Sequence, residues 1–396
     1  MARFLGDLCL AVAAIPFIYY AIALFSSWNF FRRRDRKFGN SDYTPSLSIL
    51  KPVRGLDPDA YENFASFCQQ DYPAEYEIIF CVGDDKDPVL PAIQKVIQNF
   101  PQQKIRVLFG SGRNATNDKV AKLARMVQEA AHEVLVINDS DVRARPDYLR
   151  TVVAPLADKN VGGVTTFYVA TEEKTFIQKL QSVGMLSDFY AGILVAWQLD
   201  GVKFALGPTI VTTRARLANF GGYESIENKP ADDLLVGRLI AEQGCEMALL
   251  PYAVDTVADF DSFPDLFMKR LRWLTVMRHM RPYGHIGLIF TQGLAWALFA
   301  VWVRPTLPVA LGYLGGYFAV RVLMVWTIAI HGLKERGVWS KMKLIPVWDG
   351  LACLIWLFSF TRSTIRWRNE DYYLRDGMLV PVKENAAQAI AKRAET

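Results

Sequence analysis

Glu133 to Asp141 reads EVLVINDSD, and the fold can be read outward from it. A short run of valine, leucine and isoleucine bounded by polar residues has the character of a buried strand. The carboxylate pair just past it stands where open α/β sheets bind ligands, beyond the carboxyl ends of their strands. The same pattern recurs along the chain. Strand-like runs are Leu47 to Val53, Glu77 to Val82, Ile105 to Phe109 and Val134 to Asn138, separated by helix-like stretches such as Val89 to Phe100 and Lys119 to Ala131. Strands interleaved with helices of this length predict βαβ units and a mostly parallel sheet. Chemistry-bearing residues follow the apolar runs. Asp84 to Asp87 come after EIIFCVG, and Asp139 and Asp141 after EVLVIN. Asp232 and Asp233 open an apolar helix-like stretch. KRLRW, Lys269 to Trp273, lies on a segment whose apolar residues (Phe263, Leu266, Phe267, Leu271, Leu274) have helical spacing.

The whole chain has 396 residues, 52% of them hydrophobic and 21% charged, a mixture that excludes a disordered or fibrous protein. It implies segregation instead, a water-soluble domain beside apolar spans. A net charge of +5 without a basic tail gives no reason to expect nucleic acid. Five scattered cysteines (Cys9, Cys68, Cys81, Cys245, Cys353) form no CxxC pair, and the four histidines no HExxH. A disulfide scaffold and a zinc site of those types are thereby excluded.

Leu8 to Phe31 carries no charge and is long enough to cross a hydrocarbon core of roughly 30 Å as an uncleaved anchor. RRRDRK, Arg32 to Lys37, follows, and the positive-inside rule places it and the succeeding domain in the cytosol. Ile286 to Val303 and Leu307 to Ile330 read as a helical hairpin, with Arg321 paired inside the bundle or snorkelling. Leu344 to Phe360 is shorter and holds Pro346 and Asp349. As a span it puts the C-terminus outside, whereas Arg362, Arg366, Arg368 and Arg375 favour inside, and a re-entrant or interfacial helix reconciles the two. Three regions result: an anchor with its basic flank over 1–43, a cytosolic domain over 44–285 that includes an interfacial amphipathic helix over 263–282, and C-terminal membrane helices with an arginine-rich tail over 286–396. Phe176 to Leu199 fits either a core helix or a membrane-interface segment that admits a lipid.

Each polar cluster has two readings. A DxD at a strand end offers hard oxygen ligands to a divalent cation that shares a diphosphate, and it is also a common surface turn. Asp232 and Asp233 serve as a catalytic carboxylate or as a helix N-terminus with favourable dipole charge. Asp84 to Asp87 form a ligand loop or a solvated turn before a helix. Arg270 and Arg272 face a leaving group or acidic headgroups. Asn117 and Lys119 touch phosphate or simply begin a helix. The DxD, Asp232 and Asp233, Asp84 to Asp87 and the KRLRW arginines together match the needs of sugar transfer: a nucleotide pocket, a cation for the diphosphate, a base for the acceptor and positive charge for the leaving group.

In that combination the sequence resembles the ceramide glucosyltransferases over nearly its whole length. The resemblance is carried by KPVRGLDP (Lys51 to Pro58), DYP (Asp71 to Pro73), CVGDDKDP (Cys81 to Pro88), NDSDVRARPDYL (Asn138 to Leu149), ADDLLVGRLIAEQG (Ala231 to Gly244), KRLRW and WRNEDYYLRDG (Trp367 to Gly377). It implies an α/β domain of GT-A type with flanking helices, plus N-terminal and C-terminal transmembrane helices. It implies inverting transfer of glucose from UDP-glucose to the primary hydroxyl of ceramide, with Mg2+ or Mn2+, at the cytosolic face of a bacterial inner or Golgi-type membrane. Of the family's three aspartates, the first maps to Asp87, with Asp84 as rival, and binds the uridine. The second maps to Asp139, which with Asp141 holds the metal. The third, the base, maps to Asp233, with Asp232 as rival. Lys51 and Pro52 frame the nucleotide. Arg272 and Trp273 match the family's (Q/R)xxRW motif, while Lys269 stands where glutamine or arginine is usual and lacks bidentate geometry. The same motifs leave open a UDP-GlcNAc or other UDP-sugar transferase acting on a hopanoid-type or other membrane lipid, a processive polysaccharide synthase, and an inactive lipid-binding protein.

Overall fold

The computed structural model describes residues 1–33, 42–257, 262–367, 370–375 and 377–382. Arg34 to Lys37 of the basic cluster, and Arg368 of the late motif, lie outside the described residues. Two compact units form. One gathers Met1–Arg33, Glu173–Leu199 and Phe260–Thr396, and the other Arg34–Glu172 and Asp200–Asp259.

The second unit is built on an eight-stranded sheet. Its strands are β1 (Leu47–Pro52), β2 (Tyr76–Val82), β3 (Lys104–Phe109), β4 (Val134–Ile137), β5 (Val142–Arg143), β6 (Val161–Thr171), β7 (Ile210–Thr213) and β8 (Glu246–Val257), in the order β3-β2-β1-β4-β7-β6-β8-β5. The four expected strands are present to within a residue or so, and they form its parallel half. β6 and β8 are also parallel, while β7 and β5 run antiparallel to their neighbours. β1 and β4 are buried at every position, which requires cover on both faces and explains the apolar run of β4 and the mainly apolar run of β1.

Register gathers the loops. Leu50 pairs with Ile137, Pro52 with Cys81, and Val82 with Phe109, so the chain leaves β1, β2, β3 and β4 at one edge. β7 starts there too, because Ile210 pairs antiparallel with Ile137. The crossover helix Asp118–Glu129 buries Val120, Leu123 and Met126 along one face, and its N-cap Asn117 accepts from the Val120 N–H. The helix Asp232–Ala241 approaches the Phe204–Ala205 backbone so closely that a Cβ on Gly237 would lie 2.1 Å from the Phe204 carbonyl carbon.

The first unit holds three helices long and apolar enough to cross a membrane, Arg3–Arg32, Leu307–Gly332 and Arg336–Ser359. The stretch expected as one helix over Ile286 to Val303 is bent by 52° between Pro282–Thr291 and Gly293–Val303. The cause is Tyr20, whose hydroxyl donates to the Thr291 carbonyl at 3.0 Å and accepts from the Gly293 N–H at 3.1 Å. It thereby satisfies the backbone groups the break exposes. Arg321 is paired inside the bundle: Nε lies 2.8 Å from Asp349 Oδ2, and Tyr317 donates to the same carboxylate at 2.6 Å. Leu344 to Phe360 gains length from the preceding turn Arg336–Leu344. Phe176 to Leu199 is helical through a π-turn at Met185–Phe189 and packs Gly184 flat on the Trp348 ring. The amphipathic helix runs Phe263–Met280 and rests on Ile345–Ser359, with Phe267 and Phe358 in edge contact at 5.7 Å. The tail forms an antiparallel sheet of β9 (Thr364–Trp367), β10 (Glu370–Arg375) and β11 (Met378–Pro381), which the arginine count concealed.

Gly237→Ala is expected to push the Asp232–Ala241 helix off the Phe204 backbone, because backbone has no rotamer by which to yield. Overpacking of this kind typically costs about 1–3 kcal/mol. The unfolding midpoint of the full chain in detergent should fall accordingly, and an unchanged midpoint contradicts the close approach.

Candidate functional site

Past β4 the chain turns through Asn138 to Asp141 on a buried polar base. Asn138 is fully buried, and its Nδ2 donates to the Tyr148 hydroxyl and to the Pro208 carbonyl, each at 2.7 Å. That ties the end of β4 to the loop before β7. The Val142 N–H closes the turn on the Asp139 carbonyl, and Ser140 donates its hydroxyl to Asp57. Beneath lies Lys51, whose Nζ donates to the Asp139 carbonyl at 3.1 Å and sits 3.8 Å from the centre of the Phe67 ring. Burial lowers its pKa to about 7, against the opposing pull of Asp141, Asp139 and Asp57. Lys51 therefore acts from below the turn, a part its place in KPVRGLDP does not reveal.

A second lysine organises the upper side. Lys119 Nζ lies 2.7 Å from Asp139 Oδ1 and 3.2 Å from Asp232 Oδ2. Burial alone depresses this ammonium, but Asp139, Asp232 and Asp233 outweigh it and hold its pKa well above the ordinary lysine value. Asp233 has a different environment from its neighbour. Its carboxylate accepts from its own helix, at the Leu234 N–H, 2.8 Å away. Burial first, and the charge of Asp232 next, push its carboxyl up to about 6. A Cβ on Gly207 would lie 3.1 Å from Asp139 Oδ2 and 3.4 Å from Asp233 Oδ2, so these two carboxylates face the same small gap. Only a residue without a side chain leaves that gap open. Ala231 enters the helix in the left-handed region, φ 54°, which sets the two successive aspartates at its first turn. Tyr223 is buried nearby, its acidity suppressed by burial and by Asp232, and its hydroxyl has no hydrogen-bond partner among the described residues.

Asp87 and Asp84 are distinguished by what they hold. Asp87 accepts from the Gly55 N–H at 3.1 Å and the Val89 N–H at 3.1 Å, joining the loop after Pro52 to the start of a helix. The Asp84 carboxylate accepts from the Lys86 N–H in an exposed turn. Asn117 is the cap already described, and its Nδ2 donates to the Lys229 carbonyl. Lys269, Arg272 and Trp273 belong to the other unit. There Trp273 tilts against Phe189 at 5.8 Å, and Lys269 Nζ and Arg270 Cζ lie 5.9 and 4.8 Å from its ring centre. Asp57, Lys119, Gly207 and Tyr223 complete the carboxylate cluster. Only Lys119 carried a recognisable signal, a cation two residues past a helix cap.

Asp139 and Asp141 fit a hard divalent cation by donor chemistry. Among the described residues no three histidine, cysteine or acidic side chains gather as a metal cage. Two strand-end carboxylates without a third suit Mg2+ or Mn2+, ions that draw much of their coordination from substrate phosphates and water.

The family profile described as "Glycosyl transferase family 21" matches residues 8–380. Ceramide glucosyltransferase 1 of Caenorhabditis elegans is 22% identical across 96% of this chain and 81% of its own length. Ceramide glucosyltransferase of Gibberella zeae is 32% identical over a shorter region, 37% of this chain and 28% of its own. A mannosyltransferase from Pyrobaculum calidifontis, solved in complex with GDP-Man and Mn2+, shares the fold: its TM-score is 0.50 at 18% identity, over 88% of this chain and 99% of that one.

Lys51 yields a pH signature. With its folded-state pKa depressed to about 7, the unfolded chain binds the extra proton from there up to about 10. The group's contribution to stability therefore rises with pH across that window and is least favourable below it. Lys51→Met removes the dependence, so the midpoint of the variant relative to wild type is expected to be highest near pH 6 and to decline steadily toward about pH 10. Unfolding in detergent, followed by tryptophan fluorescence, measures it. A difference independent of pH contradicts the assignment.

Proposed function

The chain belongs to glycosyltransferase family 21, and on that premise we propose that it transfers glucose from UDP-glucose to the primary hydroxyl of ceramide with inversion at the anomeric carbon. The observation that carries this reading is the pair of carboxylates, Asp233 and Asp139, facing one gap over Gly207. One is poised to take a proton, and the other belongs to the DxD turn.

The acceptor oxygen bonds to the anomeric carbon as the bond from that carbon to the diphosphate oxygen breaks. The electron pair leaves with UDP, and the acceptor proton passes to a carboxylate oxygen of Asp233. A base with pKa near 6 suits this, since it is ionised at neutral pH yet retains proton affinity. Asp232 is the weaker candidate because its carboxylate is engaged by Lys119. Asp139 and Asp141 would hold Mg2+ or Mn2+, which when bound supplies positive charge to the diphosphate. Lys51 braces that turn from below, and Asp87 fixes the loop after Pro52 against which the uridine rests. Lys269, Arg272 and Trp273 are assigned to the departing diphosphate, with the lysine acting as a point charge. The ceramide glucosyltransferase relatives and the apolar helices support a lipid acceptor met at the cytosolic membrane surface. Along the chain the anchor is assigned to 1–43, the catalytic domain to 44–285 and the membrane helices to 286–396, with Glu173–Leu199 and the 263–285 segment folded into the unit of the apolar helices.

Purified full chain in detergent, given UDP-glucose, ceramide and Mg2+ or Mn2+, is expected to form the β-glucoside, identified by NMR of the anomeric centre. An α-product contradicts inversion. Turnover confined to UDP-GlcNAc, or to a non-sphingoid lipid, overturns the substrates while sparing the class. Asp233→Asn is expected to lower kcat by about 10²–10⁴-fold with UDP binding retained. Activity lost in Asp232→Asn but kept in Asp233→Asn reassigns the base. In the wild type kcat/KM should fall as pH drops through about 6, because the base must be ionised. EDTA should abolish turnover.

A further inference from the structure

The reaction as proposed gives Lys119 no part, yet its ammonium sits among the carboxylates that carry it. Nζ is 2.7 Å from Asp139 Oδ1 and 3.2 Å from Asp232 Oδ2. Its backbone is held firmly. The preceding Asn117 donates its N–H to the Glu227 carbonyl at 2.9 Å, its Nδ2 reaches the Lys229 carbonyl at 3.2 Å, and the Thr116 N–H donates to Asn228 Oδ1 at 2.9 Å. Residues 227–229 belong to the segment that leads into Asp232. The base-bearing turn and the lysine are thus fastened together, and the freedom that remains is in the lysine side chain.

Asp139 is one of the two carboxylates assigned to the divalent cation. A divalent cation takes a carboxylate oxygen at about 2.0–2.6 Å. An ammonium hydrogen-bonded to the same carboxylate would then lie beside a second positive charge. The two positive charges repel through the shared carboxylate, so a divalent cation on Asp139 loosens the hold of Lys119 on it. Tyr223 marks the same place as incompletely paired, its buried hydroxyl having no partner among the described residues.

We infer that Lys119 is a displaceable internal cation, which neutralises Asp139 and Asp232 before the donor arrives, releases Asp139 to the divalent cation, and turns its ammonium to the diphosphate oxygens that enter with it. This rests on the reading of Asp139 and Asp141 as the metal-holding carboxylates. In this scheme Lys119 contacts the donor's diphosphate directly once Asp139 is released. It keeps a buried acidic cluster assembled in the empty enzyme and couples metal entry to nucleotide entry, because the metal alone gives the displaced ammonium no new anion. A carboxylate engaged by lysine in about nine molecules of ten weakens apparent metal affinity about tenfold.

The test is Mn2+ binding to the full chain in detergent, read from the EPR signal of free Mn2+ with and without UDP. Without UDP, Lys119→Gln is expected to bind Mn2+ about tenfold more tightly than wild type. With saturating UDP that advantage should vanish or reverse. Equal or weaker Mn2+ binding by Lys119→Gln without UDP overturns the inference. Lys119→Arg tests it independently should the glutamine variant not fold. A guanidinium pairs with carboxylate bidentately, so this variant should bind Mn2+ several-fold more weakly than wild type without UDP, and unchanged binding overturns the inference. Failure of the metal reading itself shows in the wild type, as no bound Mn2+ even with UDP, and that result sinks both.

Discussion

Carboxylates crowded at one edge of a sheet must be neutralised, and that requirement shapes the sheet-bearing unit. Asp139 and Asp233 face one gap, and Asp232 stands beside the second of them. Two like charges about 4 Å apart repel by about 4 kcal/mol at an effective dielectric near 20. Without internal cations the cluster would spread or take up protons. Lys119 answers from above through two carboxylates, while Lys51, whose proton burial loosens, braces the Asp139 carbonyl from below. The rest of the unit serves to deliver these groups. Parallel register brings four loops to one edge, Gly237 lets the Asp232 helix close in, and Gly207 keeps the gap open.

A different constraint governs the unit that holds the apolar helices. Polar groups there have no water to turn to, so each must find a partner in the protein. Tyr20 supplies both halves of the broken backbone at Thr291 and Gly293, and Asp349 takes the charge of Arg321 with help from Tyr317. Removing one member of a buried ion pair strands the other, which is why such pairs hold position even where they add little net stability. Arg270 and Trp273 of the KRLRW segment are packed in this unit too, with the Arg270 guanidinium 4.8 Å from the rings of both Trp273 and Trp348. The motif is therefore held by aromatic packing as well as by its charges.

The parallel half of the sheet was legible because its central strands are buried and read as mainly apolar runs, Val134 to Ile137 without a break and Leu47 to Val53 around Ser48 and Lys51. The antiparallel half was not, since β6 and β7 mix glycine and threonine with valine and show no clean period. The bend at Gln292 was hidden for another reason: it depends on a tyrosine far off in sequence, Tyr20, which composition cannot locate. Within the site the aspartates stood out because a strand or helix boundary precedes each. The lysines were marked only by their surroundings in sequence, Lys51 by KPVRGLDP and Lys119 by its place after a helix cap, while their parts depend on which groups they meet in space. Asp232 and Asp233 are indistinguishable by spacing, and what separates their surroundings, the ammonium paired with Asp232 and the gap over Gly207 that Asp233 faces, exists only in space.

The account is tested most directly by anomalous scattering from Mn2+ in crystals of the full chain grown with Mn2+ and UDP. It predicts a single manganese peak bound by the Asp139 and Asp141 carboxylates and the diphosphate, with Lys119 Nζ withdrawn from Asp139 toward phosphate oxygen and Asp233 left free of metal. A peak on Asp233, or a diphosphate bound without manganese while Lys119 still holds Asp139, would contradict it.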